Sequence, residues 1–194
     1  MGTFRRRQQK QTGEHGATLI EAALALPILI LVIVAILELG LAFKDYLTVS
    51  YLSREGARIG ALAGNDPEAD CAILRGLGEI VTPGDLARIN HVEIYKADNS
   101  TGAQGATNTA TFKIGQDPTL CNVPAQPNDG WIVNSSAYPP LGRNVTVGAS
   151  SQLDIIGVRV ILDRAWVTNF PPFSGSVQVN ETTISRLEPG VFEQ

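Results

Sequence analysis

Few residues in this chain of 194 residues have the types and spacing that catalysis, cofactor binding or metal binding requires. The sequence lacks the GxSxG, HExxH, phosphate-loop and dinucleotide-binding motifs that mark common catalytic and cofactor sites. Its candidate metal ligands reduce to Cys71, Cys121 and His91, because His15 is predicted to lie across a membrane from them. Structural zinc usually needs four ligands. We therefore predict no metal, no cofactor and no catalytic site, and hence not an enzyme.

The two cysteines are candidates for a disulfide. Cys71 and Cys121 are the only cysteines in the chain, and a compartment outside the cytoplasm permits a bridge between them. Closing a loop of that length stabilises a domain by about 4 kcal/mol in the chain-entropy model. We favour the bridge over the alternative of two unrelated buried thiols.

One carboxylate lies where a charge is costly. Glu21 stands at the start of a long apolar run, and an ionisable residue within a membrane helix usually marks a functional position. The alternative is that Glu21 lies among lipid headgroups, where its charge costs little. Both interpretations require a membrane helix around this residue.

The apolar run supplies such a helix. Residues 22–37 contain no charge, and after Glu38 the run resumes as far as Phe43. At about 1.5 Å per residue, a helix over residues 19–43 is long enough to cross a hydrocarbon core of about 30 Å. The run is also longer than the ~7–15 apolar residues of a removable secretory signal. The sequence therefore predicts a single-pass membrane protein.

Charges on either side of the run predict its orientation. Four basic residues and one acid give residues 1–16 a charge of +3, whereas Lys44 and Asp45 follow the run and cancel. Because basic residues stay on the cytoplasmic side, we predict a cytoplasmic leader, residues 1–16, and an extracytoplasmic C-terminal domain. The net charge of −4 leaves −7 for residues 17–194, which argues against nucleic acid as a partner.

The helix is predicted to continue past the membrane, over residues 17–64. Apolar residues keep helical spacing until a stop signal at Gly64. Pro27 cannot donate a backbone hydrogen bond, so we expect a kink there. Gly56 and Gly60 each cost about 1 kcal/mol of helix stability. Close approach to another helix or to a sheet would offset that cost.

Three charged residues accompany these glycines, namely Arg54, Glu55 and Arg58. Their i,i+3 and i,i+4 spacings allow local ion pairs worth on the order of a few tenths of a kcal/mol. A solvated charge cluster and a contact between subunits are equally compatible with the pattern.

Residues 65–194 are predicted to form an extracytoplasmic α+β domain with a small antiparallel sheet and long loops. Asp66 is expected to cap a second helix that begins at Pro67, and Thr82 to open a short third helix. A strand is predicted to follow at residues 91–96.

The rest of this domain is predicted to hold two strands and two loops. Strands over residues 155–167 and 177–187 are joined by a connection too short for a crossover helix, so we expect antiparallel pairing. Low-complexity and proline-rich compositions predict loops over residues 98–110 and 117–140.

The start of the apolar run resembles a known processing site. Gly16 is followed by Ala17-Thr18-Leu19-Ile20 and then by Glu21, and this pattern is similar to the cleavage site of type IV prepilins. The basic leader and the long apolar helix agree with the resemblance. It implies that a prepilin peptidase cuts after Gly16, so that Ala17 becomes the first residue and Glu21 the fifth.

Two downstream segments narrow the resemblance. Ala25-Leu26-Pro27 and Arg54-Glu55-Gly56-Ala57-Arg58 resemble the TadE-like branch, the pilin-like subunits of the Tad (tight adherence) pilus machinery. The resemblance covers residues 13–63 and is faint at residues 183–189.

This resemblance implies a pilin-like, membrane-anchored subunit or assembly component of a surface pilus, such as a minor pilin or pseudopilin, with a role in adhesion. Its partners would be other pilin-like subunits, the prepilin peptidase and the membrane. The alternative is an uncleaved, membrane-anchored extracytoplasmic binding module. The mature N-terminus, Ala17 or Met1, separates the two.

Overall fold

The computed structural model describes residues 14–122, 124–147, 152–169 and 171–189. Most of the predicted leader, residues 1–13, lies outside the described residues. The chain divides into two compact units between Leu41 and Ala42. Helix α1, Glu14–Ala63, contributes residues to both units.

The long helix ends as the sequence predicts. α1 has 50 residues, and the following residue, Gly64, has a φ of +55°. The backbone N–H of Gly64 donates to the carbonyl of Gly60 at 3.1 Å. Glycine adopts this left-handed conformation without steric cost, which is why it so often follows the last turn of a helix.

Two short helices follow, α2 at Ala69–Ile80 and α3 at Pro83–Leu86. The predicted start of α2 at Pro67 is wrong. Asp66 instead accepts a 2.7 Å hydrogen bond from the backbone N–H of Glu68, so its side chain stabilises a turn before the helix. The prediction for α3 is confirmed, since Thr82 Oγ1 accepts from the backbone N–H of Asp85 at 3.2 Å.

In the part of the chain that the structure describes, five antiparallel strands form one sheet, in the order β3-β2-β1-β4-β5. The strands are β1 Ile89–Ala97, β2 Gln104–Phe112, β3 Trp131–Asn134, β4 Ile155–Ala165 and β5 Ser176–Arg186. This arrangement confirms the predicted α+β class with a long N-terminal helix and a small antiparallel sheet. It also confirms the antiparallel pairing of the last two strands.

Two strands lie where loops were predicted. β2 occupies most of residues 98–110, and β3 lies inside residues 117–140. β2 has no large aliphatic side chain, but its backbone pairs with β1 in a register that joins Val92 to Ala110. Hydrogen bonding to a well-buried neighbour therefore makes this polar segment a strand, which its own composition does not indicate.

The core lies between the sheet and the helices. Val158, Val160 and Leu162 occupy one face of β4 and are fully buried. They belong to one apolar cluster with Leu52 of α1 and Ile73 of α2. The C-terminal part of α1, from Ala42 onward, is therefore a core element of the second unit.

Candidate functional site

The first part of α1 is an apolar helix with exposed side chains. Ten large hydrophobic residues each expose more than half of their surface: Leu19, Ile20, Leu24, Leu26, Ile28, Leu29, Ile30, Ile36, Leu37 and Leu39. Within the described ranges, one helix (Thr18–Ala63) is long and apolar enough to cross a membrane. Exposed apolar surface of this extent needs lipid or other apolar helices around it.

The residues of the predicted processing site lie on the first turns of this helix. Gly16, Ala17 and Glu21 all follow its first residue, Glu14, without interruption. Glu21 is exposed, and no described residue forms an ion pair with it. Cleavage after Gly16 stays a prediction, as does the kink at Pro27, through which α1 continues.

Gly56 and Gly60 lie where α1 approaches two other elements. A Cβ atom at Gly56 would lie 2.9 Å from Val158 Cγ1 and 3.4 Å from Ile73 Cγ2. A Cβ atom at Gly60 would lie 2.9 Å from the Cδ1 atoms of both Ile156 and Ile73. These glycines let the α1 backbone pack closely on β4 and α2 at once, which offsets their low helix propensity.

The charged residues beside these glycines separate into a pair and a single cation. Arg58 donates from Nε and Nη2 to the two carboxylate oxygens of Glu55, at 2.9 and 2.5 Å. Arg54 forms no ion pair with any described residue. Both arginines line an open groove that α1 forms with residues 183–186 of β5.

A buried carboxylate on α1 binds two arginines from other elements of the second unit, residues 42–194, which we call the sheet-bearing unit. Asp45 is 1% exposed. Arg88 donates to both of its oxygens at 2.8 Å, and Arg164 Nη1 donates to Oδ2 at 2.6 Å. A charge buried to this degree is tolerated only when hydrogen-bonded partners surround it. The sequence alone predicts only that the charge of Asp45 offsets that of its neighbour Lys44.

Lys44 binds a different acid. Its Nζ donates to the two oxygens of Asp85 at 2.8 and 2.9 Å, and Arg88 and Thr82 also donate to that carboxylate. Burial alone would raise the pKa of Asp85, but these donors outweigh it and hold the pKa below its usual 3.8. Together the two acids link the C-terminal part of α1 to α3 and β4.

A second buried polar cluster centres on Asp70 of α2. Arg143 forms an ion pair with it, and Asn108 of β2 and Ser135 donate to its Oδ2 at 2.8 and 2.7 Å. The Arg143 guanidinium also lies 4.6 Å from the centre of the Tyr138 ring. This cluster holds the segment after β3 against α2 and explains why a buried asparagine occurs in β2.

The predicted disulfide is present. Cys71 of α2 is bonded to Cys121, with the Cα atoms 5.3 Å apart. Arg75, one turn further along α2, donates from Nε to the carbonyl of Cys121 at 3.0 Å. The bridge therefore fixes the segment before β3 to the second helix.

Comparison with known protein families gives a match in the N-terminal part of the chain. The family described as TadE-like protein has a model that matches residues 16–58. This segment is TadE-like. No curated protein and no solved structure matches the chain.

The TadE-like segment begins at the predicted cleavage glycine and ends at Arg58. The match confirms the predicted resemblance for these residues, while the faint resemblance at residues 183–189 lies outside it. The segment contains the apolar run of α1, Asp45 and the close-packed Gly56. These features support a pilus-related protein anchored in a membrane by a single helix, followed by a C-terminal unit.

The residues that sequence reasoning missed lie mostly outside the TadE-like segment. Arg88, Arg164, Asp70 and Arg143 acquire their roles from partners more than 35 positions away. One signal was available. Arg164 follows Leu162 at the two-residue spacing of the apolar face of β4, and a charge on such a face indicates a buried partner.

Proposed function

We propose that this protein is a pilin-like subunit or assembly component of a Tad-type surface pilus, processed after Gly16. Its N-terminus would lie in the cytoplasm and its C-terminal unit outside the cytoplasmic membrane. The observation that carries the proposal is that the start of the family match coincides with the predicted cleavage site. The TadE-like match begins at Gly16, the glycine that lies just before Glu21 and the apolar run.

The exposed helix gives a physical reason for assembly. In the membrane its apolar side chains contact lipid, and in a filament they would contact neighbouring helices instead. Cleavage after Gly16 would create an amine at Ala17. Glu21 could then pair with that amine on its own or an adjacent subunit, which removes the cost of an isolated charge in an apolar core.

The sheet-bearing unit bears on the type of subunit. In the Tad pilus proteins that this chain resembles, the major pilin is little more than a helix. This chain adds a unit with five described strands. We therefore propose a minor subunit or an assembly component, with other pilin-like subunits and a prepilin peptidase as its partners.

The mature N-terminus tests the proposal against an uncleaved, membrane-anchored binding module. We expect protein from sheared surface filaments and from membranes to begin at Ala17, as read by N-terminal sequencing. Gly16→Phe should keep the leader, while the matched control Gly13→Phe should be processed normally. A chain that begins at Met1 in every fraction, and that is absent from filaments, would overturn the proposal.

A further inference from the structure

The outer edge of β5 has no partner strand among the residues described. β5 has 11 residues, and β4 pairs with all of them along the other edge. An unpaired edge presents a row of backbone N–H and C=O groups that can accept another strand. Proteins commonly bind extended peptides at such edges.

An open groove runs beside the C-terminal part of this edge. Its volume is about 410 Å³, and residues 183–186 form one wall. Arg54, Arg58 and Leu62 of α1 contribute to the opposite wall. The hydroxyl oxygens of Ser53 and Thr183 lie 3.0 Å apart, so α1 is held beside the strand at this point.

The helix and the strand run in the same direction along the groove. Ser53 contacts Thr183, and eight residues later Ala61 accepts a 3.0 Å hydrogen bond from the backbone N–H of Glu188. Four helical residues span about 6 Å, and two strand residues span about 6.8 Å. Arg54 and Arg58 therefore match the spacing of alternate side chains on a strand added at this edge.

The groove is basic on an otherwise acidic part of the chain. Arg54, Arg58 and Arg186 line it, and Glu188 is the one acid among the described residues that line it. No described residue forms an ion pair with Arg54 or Arg186. Arg58 uses Nε and Nη2 for Glu55, which leaves its Nη1 free to donate to a second carboxylate.

We propose that this groove binds an extended acidic segment of a partner protein. The segment would add a sixth strand at β5 and place carboxylates from alternate residues on Arg54 and Arg58. This inference goes beyond the proposed function and holds whether or not the leader is removed. It predicts discrimination against basic segments, which the three arginines repel.

A binding experiment with the full chain in detergent tests the proposal. The probe is a fluorescein-labelled peptide of ten residues, made of Thr and Val with two glutamates at alternate positions. Fluorescence anisotropy measures its binding. Arg54→Glu with Arg58→Glu should weaken binding about tenfold or more, and the Gln variants should weaken it less. The matched control is Lys113→Glu. Lys113 directly follows β2, which is separated from β5 by two strands, so this substitution should leave peptide binding unchanged.

Two further probes test the mode of binding. A peptide N-methylated at alternate residues keeps its charges but loses the donors of one edge, so it should not bind. A peptide with adjacent glutamates should bind several-fold more weakly. The proposal is overturned by absence of peptide binding, by equal binding of the N-methylated peptide, or by insensitivity to the arginine reversals. Binding of the chain to phosphatidylglycerol vesicles is measured in parallel. The proposal is also overturned if the arginine reversals weaken binding to these vesicles but not to the acidic peptide.

Discussion

Arg164 on β4 donates a 2.6 Å hydrogen bond from Nη1 to Oδ2 of Asp45 on α1, across 119 positions of sequence. Both side chains are almost completely buried, at 3% and 2% exposure. Arg88, which lies between α3 and β1, binds the same carboxylate. One acid on the long helix is thus the common acceptor for two arginines.

Replacing Asp45 by Ala should lower the free energy of unfolding by about 3–5 kcal/mol, because it removes the carboxylate that compensates the buried guanidinium of Arg164. Urea unfolding in detergent, followed by tryptophan fluorescence, measures the change. Glu79→Ala is the control, since Glu79 is exposed and surface changes usually stay within about 0.5 kcal/mol. Equal stability of the two variants would contradict the role of Asp45.

The carboxylate of Asp85 should make stability depend on acidity. Its pKa is lower in the folded chain than the usual 3.8, so its contribution is fully present above that value. The contribution is lost as the pH falls through the folded pKa. The difference in unfolding free energy between wild type and Asp85→Asn should therefore shrink below about pH 4. A constant difference for Asp85→Asn across this pH range would refute the prediction.

A bulky residue at Gly60 should separate α1 from the sheet. The Cβ atom alone would lie 2.9 Å from two isoleucine side chains, and overpacking of a core costs about 1–3 kcal/mol. We expect Gly60→Leu to lower the unfolding free energy by at least that much. Gly40→Leu is the matched control on the same helix, where a Cβ atom meets nothing within 4 Å. Similar stabilities of the two variants would disprove close packing at Gly60.

Loss of the disulfide should destabilise the sheet-bearing unit by about 4 kcal/mol, because the bridge spans 50 positions and restricts the unfolded chain. Thermal unfolding of Cys71→Ser/Cys121→Ser, compared with wild type, measures the loss. A reductant should lower the Tm of wild type towards that of the double variant and leave the variant unchanged. An unchanged Tm in wild type after verified reduction would be inconsistent with this estimate.

Glu21→Ala should separate insertion from assembly. The substitution removes a charge from an apolar helix, so membrane insertion should be at least as efficient. Filament content should fall about tenfold or more if the carboxylate pairs with the new amine of Ala17. Immunoblots of sheared filaments and membranes give the ratio, with Glu14→Ala as the control. A normal ratio for Glu21→Ala would argue against the pairing role.

The elements with a strong local pattern could be predicted from the sequence. α1 has an uninterrupted apolar run and a terminal glycine, and β4 alternates large aliphatic residues on one face. The Cys71–Cys121 bridge followed from the presence of two cysteines in a chain predicted to face an oxidising compartment. In each case the signal lies in neighbouring residues or in a residue type with few possible partners.

The rest depends on contacts between distant residues. β2 is a strand because β1 lies beside it, and Asn108 is buried in it because Asp70 accepts its hydrogen bond. The arginines that bind Asp45 are 43 and 119 positions away. No local pattern records such partners, so neither the strand nor the ion pairs could be placed before the fold was known.

The close packing of α1 on β4 determines how the protein responds to force. Gly56 lies against Val158 with no space for a side chain, and Asp45 is bound to Arg164 further along the same strand. A pull along the axis of this part of the helix would load both contacts in shear, so they would have to rupture together rather than peel apart one by one. The contacts between this part of α1 and β4 should therefore resist a force applied along the helix axis.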